Sequence, residues 1–140
     1  MYNFSRSSGG SAFRRLILVV DDDQDFRAAV RDLLVDAGFE VQTARNGQDA
    51  LEVLEKIDTP ALILLDFMMP EMNGRQFLAA RRRDERLRSI PVVILSAQTR
   101  EWASGVLDAD QVIAKPIDAD ELIMLATSYC AGEKRRIALK

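Results

Sequence analysis

The sequence predicts an α/β fold, an open, doubly wound sheet of five parallel strands with helices on both faces. Three observations carry that expectation. Short apolar runs rich in Leu, Ile and Val recur along the chain with little alternation, as strands covered on both faces require. Between them lie stretches whose apolar residues fall at helical spacing. The two kinds of segment alternate, and a strand–helix–strand series of this length closes into a parallel sheet through right-handed crossovers.

Leu16–Val20 is the first strand, and it runs directly into Asp21, Asp22 and Asp23. Phe26, Val30, Leu33, Leu34 and Ala37 form the apolar stripe of the first helix, which Gly38 can end in a left-handed conformation. Glu40–Thr43 and Gln111–Ala114 are weaker strand candidates, whereas Ala61–Leu65 and Val92–Leu95 are nearly unbroken apolar runs. Ala50, Val53, Leu54 and Ile57 mark the second helix, with Asn46 placed to cap it. Leu122, Leu125, Ala126 and Tyr129 mark the last one, opened by Asp118 and Glu121 as a capping pair. Less clearly striped helices around 74–84 and 99–107 complete the series. Residues 1–14, rich in Ser, Gly and Arg, read as a flexible extension. Residues 15–131 read as the folded domain and 132–140 as a tail.

Composition narrows the function. The 140 residues make one domain's worth of chain. Histidine is absent, which removes Ser–His and Cys–His catalysis, histidine metal sites and a phosphohistidine carrier role. The single cysteine, Cys130, allows no internal disulfide and no cysteine-cluster zinc site. With 19 basic and 22 acidic residues the net charge is -3, unlike the basic balance of domains that grip nucleic-acid phosphates. No direct nucleic-acid partner is expected. The arginine run at Arg81, Arg82, Arg83, Arg86 and Arg88 is expected to be a solvated surface, because successive helical residues point about 100° apart. The apolar run Leu16–Val20 is far shorter than the roughly 20 residues a bilayer demands. Arg14 and Arg15 before it imitate a twin-arginine signal, but the three aspartates end the apolar stretch. A cytoplasmic chain with no membrane partner is the expectation.

In a doubly wound sheet, ligands sit beyond the carboxyl ends of the strands. There the first strand delivers Asp21, Asp22 and Asp23, the third Asp66, the fourth Ser96 and the fifth Lys115. Asp23 is expected to cap the following helix. If Asp21, Asp22 and Asp66 approach to about 4 Å, each ionised pair repels by roughly 4 kcal/mol at an effective dielectric near 20, so a compensating cation is needed. Carboxylate oxygens suit Mg²⁺, which keeps several waters and bridges to phosphates. An acidic metal cradle, a lysine and a hydroxyl around one carboxylate is what phosphoryl transfer to aspartate needs. Asp66 attacks phosphorus, while Lys115 and Ser96 hold the charge that develops.

LILVVDDD at 16–23, LILLDFMMPEMNG at 62–74, VVILSA at 92–97 and AKP at 114–116 together resemble the receiver domain of bacterial response regulators, from Leu16 to Ala131. The four motifs follow the family's order, with its separations from the acidic pair to the acceptor and from the acceptor to the hydroxyl. The resemblance implies a flavodoxin-like sheet of strand order 2-1-3-4-5. It further implies a two-component phosphoacceptor: a partner histidine kinase or phosphotransfer protein donates a phosphoryl group to Asp66, with Mg²⁺ as cofactor. By the same resemblance Asp22 is a direct metal ligand, Asp21 a ligand through water, and the Met68 carbonyl a backbone ligand. Ser96 and Lys115 are the hydroxyl and lysine that meet the phosphoryl group, and Lys115–Pro116 is expected to be cis. Pro70 and Gly74 match the loop after the acceptor, and Ala97 the small residue beside it.

Such a chain catalyses only its own phosphorylation and dephosphorylation, and acts as relay, sink or switch. An effector protein is expected on the face made by the helix around 99–107, the fifth strand and the last helix. Two departures stand out. Val112 occupies the place where receivers commonly carry Tyr or Phe, and the stretch from Ser96 to Lys115 is a few residues short. Met68, with no polar group to orient water, predicts slow loss of the phosphoryl group. The alternative is a binding module of the same fold that works without phosphorylation. A phosphatase with an aspartate nucleophile would need an acid/base at 68, where methionine cannot transfer a proton. No dinucleotide fingerprint or P-loop follows the first strand.

Overall fold

A computed structural model of the chain describes residues 15–69, 71–97 and 109–132. Five parallel strands, β1 (Leu16–Val20), β2 (Glu40–Ala44), β3 (Leu62–Asp66), β4 (Val92–Ser96) and β5 (Gln111–Ala114), pair in the order β2-β1-β3-β4-β5. Four helices are described: α1 (Gln24–Asp36), α2 (Gly47–Leu54), α3 (Gly74–Arg82) and α4 (Ala119–Cys130). The helix expected around 99–107 lies outside the described residues, as do Pro70, residues 1–14 and residues 133–140.

Because successive strand residues point to opposite faces, the sheet builds two cores. On one face Leu18, Val20, Ile63, Leu65, Val92 and Ile94 meet Ala50 and Leu54 of α2 and Phe77 and Leu78 of α3. On the other, Ile17, Val19, Leu62, Leu64, Val93 and Leu95 meet Val30 and Leu34 of α1 and Leu122, Leu125, Ala126 and Tyr129 of α4. Burial on both sides explains the unbroken apolar runs of β1, β3 and β4. The edge strands β2 and β5 are only partly covered, which is why their sequences are weaker strand signals. Cys130 is buried in the second core.

The expected punctuation is present. Asp23 caps α1 by accepting from the Phe26 amide, and Asn46 caps α2 by accepting from Asp49. Asp118 caps α4 by accepting from the amides of Asp120 and Glu121. Gly38 ends the first helix at φ 102°, a value that glycine adopts without steric cost. A reciprocal capping box that sequence reasoning had not singled out opens α3: Asn73 accepts from the Gln76 amide and Gln76 from the Asn73 amide. The strands β2, β3 and β4 each run one residue beyond the expected end. β3 therefore includes Asp66 and β4 includes Ser96, so both polar side chains stand on the rigid edge of the sheet.

One member of the arginine run departs from the solvated surface expected of it. Arg81 is buried, and its guanidinium donates through Nε and Nη2 to the Ile90 carbonyl at 3.2 and 2.7 Å. Arg86 crosses to the C-terminal end of α2, donating to the carbonyls of Leu54 (2.6 Å) and Ile57 (2.7 Å) and to the Thr59 hydroxyl (2.9 Å). Arg82, Arg83, Arg86 and Arg88 are exposed as expected. The spacing argument correctly shows that three successive arginines cannot share one face. It does not follow that all three avoid the core: Arg81 lies four residues after Phe77 and three after Leu78, on their buried face.

Candidate functional site

The carboxyl ends of β1 and β3 are neighbours, and the residues just past them form the site. Asp21 continues the β1–β2 ladder, its amide donating to the Ala44 carbonyl at 3.1 Å. The carboxylate of Asp21 is almost fully buried and uses both oxygens. Oδ1 accepts from the Asp23 amide and Oδ2 from Lys115 Nζ, each at 2.9 Å. Asp23 in turn caps α1, so the placement of Asp21 and the start of the helix are one construction. Arg27 adds a hydrogen bond of 2.7 Å to the Asp21 carbonyl. Asp22, by contrast, is exposed.

Asp66 closes the group. One carboxylate oxygen from each of Asp21, Asp22 and Asp66 lies within 4.8 Å of the others. Lys115, just past β5, brings its ammonium to 3.5 Å from Asp66 Oδ1 as well as to Asp21. The Asp66 carboxyl is pushed up to about 6, first by burial and then by the charge of Asp21. Lys115 opposes that rise, and the charge of Asp22 and a hydrogen bond with its side chain add to it. Three carboxylates against one ammonium leave a surplus of negative charge. Their hard oxygen donors, converging from two strands, fit a small divalent cation such as Mg²⁺.

Ser96 and Lys115 are held together by the sheet: Ser96 pairs with Ala114 in the β4–β5 register, and the Lys115 amide donates to the Ser96 carbonyl at 2.9 Å. Ser96 is buried at the same sheet edge. The Lys115–Pro116 peptide bond is cis, as the motif implied. Met68 sits two residues beyond Asp66 and is 59% exposed, while Phe67 and Met69 on either side are buried. Val112 is half-buried and packs against the core on the α2–α3 face.

The loop after Asp66 is tied down by close backbone approach. The Gly74 amide donates to the Phe67 carbonyl at 2.9 Å, and a Cβ at Gly74 would come within 3.0 Å of Phe67. The Gly47 amide donates to the Met72 carbonyl at 3.0 Å, where a Cβ would meet Met72 at 2.6 Å. Asn46 Nδ2 adds a bond to Glu71 at 3.3 Å. Sequence reasoning found Gly74 through the motif but missed Gly47 and Glu71, which carry no local signal of a distant contact. It also counted Phe26 only in the core stripe of the first helix. In the fold the Phe26 ring faces the site, its centroid 4.1 Å from Lys115 Nζ.

A parallel sheet in the order β2-β1-β3-β4-β5, with an acidic cluster and a lysine at its carboxyl edge, is the architecture of a receiver domain. The chain belongs to that family: the model of the response regulator receiver domain matches residues 17–127. Response regulator Rre1 of Synechocystis is 37% identical over 122 residues, which cover 84% of this chain and 52% of that protein. The chain therefore spans about half the length of that relative. A 14.6 kDa protein of Leptolyngbya boryana is 38% identical over 120 residues, covering 81% of this chain and 88% of its own. Among solved structures, the receiver domain of a histidine kinase from Syntrophus aciditrophicus superposes with a TM-score of 0.75 at 28% identity, covering 89% of this chain and 96% of that one. TrrA of Thermotoga maritima, solved in complex with Mg²⁺ and BeF, gives a TM-score of 0.72 at 27% identity, covering 82% and 98%. The chain is thus a response-regulator receiver domain of the kind used in two-component signalling. No helix among the described residues is long and apolar enough to cross a membrane.

Proposed function

We propose that this receiver is an Mg²⁺-dependent phosphoacceptor that takes a phosphoryl group on Asp66 from a phosphohistidine of a partner kinase or phosphotransfer protein. The observation that carries the reading is the convergence of three carboxylates within 4.8 Å, one of them 3.5 Å from a lysine ammonium. An oxygen of Asp66 attacks phosphorus; the new P–O bond forms as the P–N bond to imidazole breaks, and the leaving nitrogen takes up a proton from water. Bound Mg²⁺ supplies positive charge to the transferring oxygens. Asp22, with Asp21 through water and the Met68 carbonyl, are the proposed ligands beside Asp66. The Lys115 ammonium and the Ser96 hydroxyl donate to the phosphoryl oxygens, where charge develops. The chain turns over no other substrate, and it serves in the cytoplasm as relay, sink or protein-interaction switch. The exposed Met68 side chain offers no polar group of its own to orient an attacking water, which supports a long-lived acyl phosphate.

Incubation with acetyl phosphate and Mg²⁺ tests this. Intact-protein mass spectrometry is expected to show one added phosphoryl group on the wild type, none on Asp66→Asn and none when Mg²⁺ is chelated. Equal labelling of wild type and Asp66→Asn would overturn the assignment.

A further inference from the structure

Lys115 has a third neighbour besides its two carboxylates. Its Nζ lies 4.1 Å from the centroid of the Phe26 ring, while it contacts Asp21 Oδ2 at 2.9 Å and Asp66 Oδ1 at 3.5 Å. The ammonium is thus held between an anionic pair and an aromatic face. Phe26 occupies the first turn of α1, where its amide donates to the capping Asp23 carboxylate at 3.1 Å. The Asp23 amide donates to Asp21. One short run of chain therefore fixes both the carboxylate and the ring that Lys115 touches.

The two kinds of partner differ in what happens to them during phosphoryl transfer. Once the carboxylates of Asp21 and Asp66 share their charge with a cation, and before the phosphoryl oxygens arrive, their pull on Lys115 weakens. The quadrupole of a ring does not titrate, bind metal or react, so its attraction for the ammonium persists. An aliphatic residue at 26 would satisfy the core stripe of α1 equally well, but would offer the ammonium no such face.

We propose that Phe26 is a positioning residue for phosphoryl transfer, its ring holding the Lys115 ammonium at the acceptor edge while the carboxylates turn to other partners. The inference rests on the phosphoacceptor reading above and deepens it. The role assigned to Phe26 is exerted through Lys115.

Three variants and two readouts test it. Phe26→Leu removes the ring but keeps an apolar side chain, Phe26→Tyr keeps the ring, and Lys115→Met removes the cation. In the metal-free protein, the Lys115 methylene protons next to Nζ are expected to be shifted upfield by the ring current. Phe26→Leu abolishes that shift and Phe26→Tyr retains it. With acetyl phosphate and saturating Mg²⁺, Phe26→Leu is expected to slow labelling of Asp66 about three- to tenfold, the size of a partly desolvated cation–π contact. The Mg²⁺ concentration for half-maximal rate stays unchanged, and Phe26→Tyr recovers most of the rate. On a Lys115→Met background the same leucine substitution has no further effect, because its action passes through the ammonium. A wild type that is never labelled overturns the phosphoacceptor reading and this inference with it. A labelled wild type matched in rate by Phe26→Leu, or an equal loss from Phe26→Leu with and without Lys115, overturns the role of Phe26 alone. Absence of the ring-current shift in the wild type overturns the contact itself.

Discussion

Arg81 in α3 is as deeply buried as Asp66 in β3, at 5% and 8% exposure, yet the two charges meet opposite surroundings. The Arg81 guanidinium faces the carbonyl of Ile90, which accepts twice from it, and nearby Arg86 uses its fork on the carbonyls at the end of α2. Those carbonyls are among the acceptors that a helix terminus leaves without intrahelical partners. Asp66 faces two further carboxylates and a single lysine. In the first region each guanidinium meets carbonyl oxygens placed to accept from it. The second holds more negative charge than its lysine balances, and a bound cation would offset the surplus. A buried charge marks a functional site when its neighbours repel it, and a structural one when they solvate it.

This contrast can be broken by substitution, beginning where the largest effect is expected. Arg81→Met should destabilise the fold by about 2–3 kcal/mol, because the buried Ile90 carbonyl loses its charged donor. Urea unfolding checks this; a loss below about 0.5 kcal/mol would place Arg81 with the solvated arginines after all.

At the acidic edge the sign should reverse. In metal-free buffer at pH 7.5, Asp66→Asn should stabilise the fold by about 1–2 kcal/mol once screening at the cleft mouth is allowed for. The sign follows from linkage. The Asp66 carboxyl, ordinarily at 3.8, sits at about 6 in the folded chain, so the folded state binds the proton more tightly. Ionising it costs stability progressively between those two values, and the full cost stands above pH 6. The advantage of Asp66→Asn should therefore be greatest above pH 6 and vanish near pH 4. Thermal melts of both proteins across pH 4–8 would read it out.

A smaller effect is expected at Arg86, whose acceptors are less buried. Arg86→Lys should cost about 1 kcal/mol even though the charge is kept, because an ammonium cannot span three acceptors as a guanidinium does. Indifference to the lysine substitution in denaturant titration would reduce the interaction to simple charge.

The same physics explains what could be read in the sequence. Strands β1, β3 and β4 were legible because burial on both faces leaves uninterrupted apolar runs. Strands β2 and β5 were fainter because an edge strand is partly exposed. Asp21, Asp22, Asp66, Ser96 and Lys115 could be named because topology alone sends strand ends to one edge. The structure brings the three aspartates and Lys115 together, with Ser96 tied to Lys115 through the backbone. The burial of Arg81 and the distant partners of Arg86 and Phe26 were missed for another reason. Their side chains reach partners 9, 27 to 32, and 89 positions away, and no local period encodes such a contact. The helical spacing of Arg81 after Phe77 was the one signal that pointed inward.

Three carboxylates at one edge store repulsion that a divalent cation would relieve. Melting temperature measured against Mg²⁺ concentration at pH 7.5, for the wild type, Asp66→Asn and Asp21→Asn, tests it most directly. The wild type should start below Asp66→Asn and climb as the ion binds, by about 2.7 kcal/mol at a hundredfold excess over the dissociation constant, so that the order inverts. Both variants should climb far less. A wild type that does not respond to Mg²⁺, or three proteins that rise in parallel, would contradict the account.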